Sequence, residues 1–177
     1  ALPSRLRMPG CDQENVIDAG TATRLALADP TALGTRVVII DETGTYLPLG
    51  LAEVLAGGGA EVEVVTRHPA VGQEVREQME APYTFPRLEA AGVRFSPGLF
   101  VEAVEGDRVD LVSVWGTARR SVEGVSAVVL AMLRTPEDAL WHALQGGPLE
   151  VVRIGDALAP RAAADAIHDG EVAARAL

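Results

Sequence analysis

Apolar residues are laid out along this chain in alternating kinds of run. Arg36-Val37-Val38-Ile39-Ile40-Asp41 is a continuous β-branched run, the pattern of a central parallel strand buried on both faces. Val62-Glu63-Val64-Val65 predicts a second strand. Between them Leu51, Val54 and Leu55 recur at helical spacing over residues 49–56, and Gly57-Gly58-Gly59 closes that helix. Strand, helix and strand within roughly 30 residues make a βαβ unit with an expected right-handed crossover. Further on, residues 100–104, 109–115 and 121–122 read as a β-meander, with turn signals at Glu105-Gly106-Asp107 and Gly116-Thr117.

The remaining pattern fills in around these. Residues 1–30 are turn-rich, with Val16-Ile17 extended and a short helix over 21–28 that the Asp29-Pro30 step ends. Residues 74–81 predict a polar helix, 85–91 another, and 93–95 an extended stretch. Residues 41–48 read as a loop. Ala127-Val128-Val129-Leu130-Ala131 is a buried strand, 138–144 a helix with Pro136 near its first turn, and Val151-Val152-Arg153-Ile154 a last strand before a helix over 163–177. The order predicts an α/β fold: a Rossmann-like NAD(P)/FAD-binding domain of the pyridine-nucleotide disulfide-reductase type with an antiparallel β-meander.

Candidate chemistry concentrates at the end. The apolar run 151–154 stops at Gly155-Asp156-Ala157, a short loop through Ala159-Pro160-Arg161 follows, and an alanine-rich helix begins. Strand, tight turn and helix N-terminus form a geometry that holds the phosphates of a dinucleotide. A second loop, Asp41 to Gly50, stands where a G-x-G-x-x-G fingerprint belongs. Its two glycines are misspaced, Asp41 and Glu42 repel a pyrophosphate, and Pro48 lacks a backbone donor. After the second strand, Thr66-Arg67-His68 replaces the acidic residue that holds a ribose, leaving Arg67 as a candidate for a 2′-phosphate.

Nothing else reads as catalytic. No metal cluster, nucleophile–base pair or Walker sequence is present. His68, His142 and His168 are scattered, Arg119-Arg120 reads as a solvated hairpin face, and Trp115 and Trp141 as core or domain-interface residues. Glu53 reads as solvent-facing or interdomain. The single Cys11 cannot form an internal disulfide, which fits a cytoplasmic protein. Formal net charge is -10, which disfavours nucleic acid and anionic membrane surfaces. Every cationic side chain is arginine, so lysine-dependent covalent chemistry is excluded. No apolar window reaches the ~18 residues of a membrane span.

Several of these segments resemble one family. Residues 36–41 with Gly44-Thr45-Tyr46 and Leu51-Ala52-Glu53-Val54-Leu55-Ala56 resemble the third domain of trimethylamine dehydrogenase and its relatives. That family includes the dimethylamine and histamine dehydrogenases and, more distantly, 2,4-dienoyl-CoA reductase (Old Yellow Enzyme-related NADH:flavin oxidoreductases). Ser113-Val114-Trp115-Gly116 is similar to its meander, and Pro9-Gly10-Cys11-Asp12 to its Pro-Gly-Ala-Asp. Ile154-Gly155-Asp156-Ala157, Ala159-Pro160-Arg161 and Asp165-Ala166, ending in Ala173-Ala174-Arg175, are similar to its C-terminal nucleotide motif.

The resemblance implies a C-terminal region of a flavin-dependent oxidoreductase. It implies that Gly155, Asp156 and Ala157 contribute a half-site for FAD or ADP, with Asp156 contacting a ribitol or pyrophosphate region. FMN and an iron-sulfur cluster are expected in the parent enzyme, outside this chain. It divides the chain into a crossover segment of the FAD/ADP-type domain over 1–33, an NAD(P)-binding-like domain over 34–147, and a closing strand and helix of the first domain over 148–177. Partners are then other domains or subunits of the parent, with an oligomer expected. One departure stands out: Ala131-Met132-Leu133-Arg134 replaces the family's Thr-Gly-Arg turn, which removes a close backbone approach. The acidic loop and this replacement motivate an alternative, a scaffold or partner subunit that has lost nucleotide binding; a third, less favoured reading is a stand-alone NAD(P)H-dependent reductase.

Overall fold

A computed structural model describes residues 2–3 and 7–176. It divides into two compact units, Arg5–Met132 and Ala1–Ser4 with Leu133–Leu177. The first strand, β1 (Leu2–Pro3), belongs to the smaller of these.

The larger unit follows from its β-branched runs. β2 (Val16–Asp18) leads into α1 (Ala19–Ala28), β3 (Arg36–Asp41), α2 (Tyr46–Gly57) and β4 (Glu61–Thr66). Then come α3 (Gln73–Glu77), α4 (Ala81–Ala90) and β5 (Arg94–Pro97). The meander is β6 (Leu99–Glu105), β7 (Arg108–Ser113) and β8 (Arg119–Val122), and β9 (Ala127–Ala131) closes the unit. β2, β9, β3, β4 and β5 form one parallel sheet in that order, while β6, β7 and β8 form a separate antiparallel sheet.

Alternation along the central strand explains the layering. Val37 and Ile39 point into a core made with α1, α2 and α4, including Ala22, Leu49, Leu55 and Leu88. Val38 and Ile40 point to the opposite face, where Val101, Val104, Val109 and Leu111 of the meander cover the sheet. The run is apolar throughout because helices take one face and a second sheet the other.

The structure departs from the sequence pattern in several places. The 41–48 loop is shorter: α2 already starts at Tyr46, with Pro48 in its first turn, where a missing N–H has no intrahelical partner to lose. The polar helix over 74–81 ends at Glu77, and α4 begins at Ala81 rather than at 85, because Met79 sits at φ 61 and breaks the helix between them. β7 stops at Ser113, so Val114 and Trp115 lie beyond the strand. Trp115 is 85% exposed and is no core residue. The run Val151-Val152-Arg153-Ile154 forms no ladder among the described residues. Ile154 is extended, but no neighbouring strand takes up its backbone groups.

The smaller unit holds β1 paired antiparallel with β10 (Arg134–Thr135), then α5 (Ala139–Leu144), a single 3₁₀ turn at Gly155–Ala157, and α6 (Ala163–Ala176). Among its described residues only Gly155 is buried. Its order comes from side chains instead. Trp141 Nε1 donates to the Val151 carbonyl at 3.2 Å, and the Arg153 guanidinium lies 4.1 Å from the Trp141 ring centre while pairing with Asp138 at 2.5 Å. No helix among the described residues is long and apolar enough to cross a membrane.

Candidate functional site

The Gly155–Ala157 turn is built onto α6. Gly155 has φ 55, and a Cβ there would meet the Ala166 Cβ at 3.1 Å, so only glycine lets the turn pack this close to the helix. The Gly155 N–H donates to Asp169 Oδ2 at 3.0 Å, and its carbonyl accepts from Leu158 and Ala159, both at 2.9 Å. Asp169 also receives a short hydrogen bond from Arg161 Nη2. At the start of α6, Asp165 Oδ2 reaches back to the Ala162 N–H at 3.1 Å, half of a capping box. Asp156 sits exposed on this fixed turn. A carboxylate so placed is an acceptor for sugar or polyol hydroxyls, the chemistry that carboxylates supply to a ribose.

The second candidate lies at the carboxyl end of β3. Asp41 is fully buried, and its Oδ1 accepts from the Thr43 N–H at 2.8 Å, the Thr43 hydroxyl at 2.8 Å and the Gly44 N–H at 2.9 Å. These loop donors are the kind an incoming phosphate requires, and here the chain's own carboxylate fills them. Glu42 is 7% exposed, and its Oε2 lies 2.5 Å from Arg67 Nε, an ion pair that lacks the alignment of a hydrogen bond. Burial holds the Glu42 pKa above its ordinary value, reinforced by Asp41 and opposed by Arg67 and His68. Arg67 is therefore committed to Glu42 rather than held open for a 2′-phosphate. The loop's donor set does not fit a dinucleotide diphosphate.

Between the ends of β3 and β9 the Glu42 N–H bonds the Ala131 carbonyl at 2.9 Å. A cleft of about 380 Å³ opens there, lined by Glu42, Arg67, Phe100, Val101, Val114 and Met132. Met132 contributes its side chain to the wall of this cleft.

The other residues singled out from sequence scatter. His68 Nε2 lies 3.4 Å from the Glu42 carbonyl, His142 pairs with Asp138 at 3.4 Å, and His168 is exposed on α6. Among the described residues no group of three or more His, Cys, Asp or Glu side chains is placed to hold a metal ion. Cys11 is half-buried and unpaired. Glu53 pairs with Arg87 at 2.8 Å, with the Tyr46 hydroxyl 3.3 Å from the same guanidinium.

Arg120 does not lie on a solvated face. It bonds Glu63, which is buried in β4, and the Ser96 hydroxyl at 2.8 Å, with Arg94 3.7 Å from the same carboxylate. Glu63 interrupts an otherwise apolar strand, the one signal in the sequence that pointed to a buried ion pair. Asp169 is not legible from the sequence, because a lone aspartate on an exposed-looking helix carries no signal of its own.

Comparison with known proteins places this arrangement. Dimethylamine dehydrogenase of Hyphomicrobium sp. (strain x) is 30% identical over 169 residues, covering 81% of this chain and 23% of that protein. The solved structure of histamine dehydrogenase from Rhizobium sp. 4-9 matches with a TM-score of 0.84 and 31% identity, over 98% of this chain and 28% of that one. That of 6-hydroxypseudooxynicotine amine oxidase from Pseudomonas geniculata N1 matches with a TM-score of 0.83 and 26% identity, over 98% of this chain and 26% of that one. The chain thus spans about a quarter of the length of these relatives. The model of the OYE-like second alpha/beta domain matches residues 24–143, and the chain belongs to that family.

Proposed function

We propose that this chain is the nucleotide-binding-like region of a flavin-dependent oxidoreductase of the amine dehydrogenase or enoyl reductase type. In this reading Gly155, Asp156 and Ala157 supply half of an ADP or FAD site, and the rest of the chain supports assembly. The observation that carries it is the match over 98% of the chain to histamine dehydrogenase. The fold reads as Rossmann-like: counted from β3, the run β5, β4, β3, β9 has the order 3-2-1-4 of a mononucleotide-binding half and its first extension. The segments 1–33 and 148–177 are assigned to the FAD/ADP-type domain and 34–147 to an NAD(P)-binding-like domain.

The residues fit this division of labour. Asp156 is suited to a ribose or ribitol hydroxyl, and ADP or FAD would supply the nucleotide there. FMN and an iron-sulfur cluster, which the family implies, would be held outside this chain. Exposed Leu140, Leu149, Ile167 and Val172 give the smaller unit the apolar surface that packing against other domains or subunits of the parent requires.

Calorimetric titration of the full-length gene product tests the reading. ADP or FAD binds, Asp156→Ala weakens it at least tenfold, and NADPH shows no binding at the Asp41–Thr45 loop. A second reading, a scaffold that has lost nucleotide binding altogether, is favoured by the Asp41-filled loop. It is supported if neither ADP nor FAD binds, and overturned if either does.

A further inference from the structure

We infer that Asp169 is the positioning residue of the Gly155–Ala157 half-site, an inference that rests on the proposed ADP or FAD role of that turn. Ile154 leads into the turn in an extended conformation but belongs to no sheet among the described residues. The turn also lacks a side-chain cap. Its place is therefore set by α6, and α6 holds it at two points one helical turn apart.

Ala166 meets the Cα side of Gly155, and Asp169 takes its N–H. The same Asp169 oxygen receives Arg161 Nη2, and Arg161 Nε reaches the Ala159 carbonyl at 3.3 Å. One carboxylate thus fixes both the start of the connection, at Gly155, and its end, at Arg161. Its side chain is 14% exposed, so the bond to the buried Gly155 is shielded from water.

Two consequences follow for ligand binding. The Gly155 N–H is held by Asp169, so the turn presents Asp156 and Ala157, and not Gly155, to a ligand. Removing Asp169 leaves a buried N–H without its acceptor, which the turn relieves by moving. Asp156 moves with it. Asp169 does not touch the ligand in this account; it acts through Gly155.

The test uses the full-length gene product in four forms: wild type, Asp169→Ala, Asp169→Asn and Glu171→Ala. ADP and FAD affinity is measured by calorimetry, and protection of the Gly155 amide by hydrogen exchange. Asp169→Ala should lose about tenfold or more in affinity together with Gly155 protection. Asp169→Asn keeps an oxygen for the Gly155 N–H and should recover most of both. Glu171→Ala removes the ion pair with Arg175 on the same helix without touching the turn and should leave affinity within about twofold.

Wild-type affinity in Asp169→Ala overturns the inference, as does an equal loss in Glu171→Ala, which marks a role in helix stability alone. Absence of ADP and FAD binding in the wild type overturns the half-site reading and the ligand role of Asp169 with it. A Gly155 amide that loses protection in Asp169→Ala would even then show that the contact holds the turn, so the two failures are distinguishable.

Discussion

At the scale of single residues, buried acids decide what the larger unit can bind. Asp41 satisfies two backbone donors and a hydroxyl with one oxygen. Asp41→Ala orphans the Thr43 and Gly44 N–H groups, and unmade bonds to buried groups cost about 1–3 kcal/mol each. Urea denaturation should therefore show a loss on the order of 2–4 kcal/mol, with Asp41→Asn losing less because it keeps an acceptor. The sequence identified Asp41 and Glu42 as obstacles to phosphate, but charge alone was the reason available. The hydrogen bonds show something more specific: the loop has its own anion in place. Arg67 illustrates the converse, since a side chain that reads as an open phosphate contact is paired with Glu42, a residue far from it in sequence.

At the scale of elements, capping and partners set what was legible. The β3, β4 and β9 runs were readable because a doubly covered strand needs an unbroken apolar stretch. Val151 to Ile154 has the same composition but no strand beside it among the described residues, and a strand exists only through its partner. The break between α3 and α4 depends on the left-handed backbone of Met79, a residue type that gives no warning of it.

α1 offers a test of the capping logic. Asp18 accepts the Thr21 N–H at 3.0 Å as N-cap, and its pKa is lowered by Thr21, through side-chain and then backbone hydrogen bonding, with Gly20 and Arg24 adding to this. A folded-state pKa below the unfolded value contributes stability that is present above the unfolded pKa and is lost as pH falls through the folded one. Asp18→Ala should therefore cost about 1 kcal/mol at neutral pH. The difference from wild type should shrink as the carboxylate protonates, read as converging denaturation midpoints in an acid titration series.

At the scale of the whole molecule, each of the two units has its own internal source of order. Residues 5–132 contain two apolar cores on either face of one sheet. The smaller unit has a tryptophan, three arginine pairings and one buried glycine. A unit with so little core is expected to gain stability from what it packs against. The α/β layering of the larger unit and the kinship of the chain were legible from periodicity and motif. The clamp at Asp169 was not, because it depends on how a turn and a helix meet.

We propose that this chain holds part of an ADP or FAD site in a flavin-dependent oxidoreductase. The most direct measurement is the nucleotide released when the purified full-length gene product is denatured, identified by mass spectrometry. Stoichiometric ADP or FAD is expected from the wild type, and its loss from Asp156→Ala. A wild-type protein that releases neither, and takes up neither when they are supplied, would contradict it.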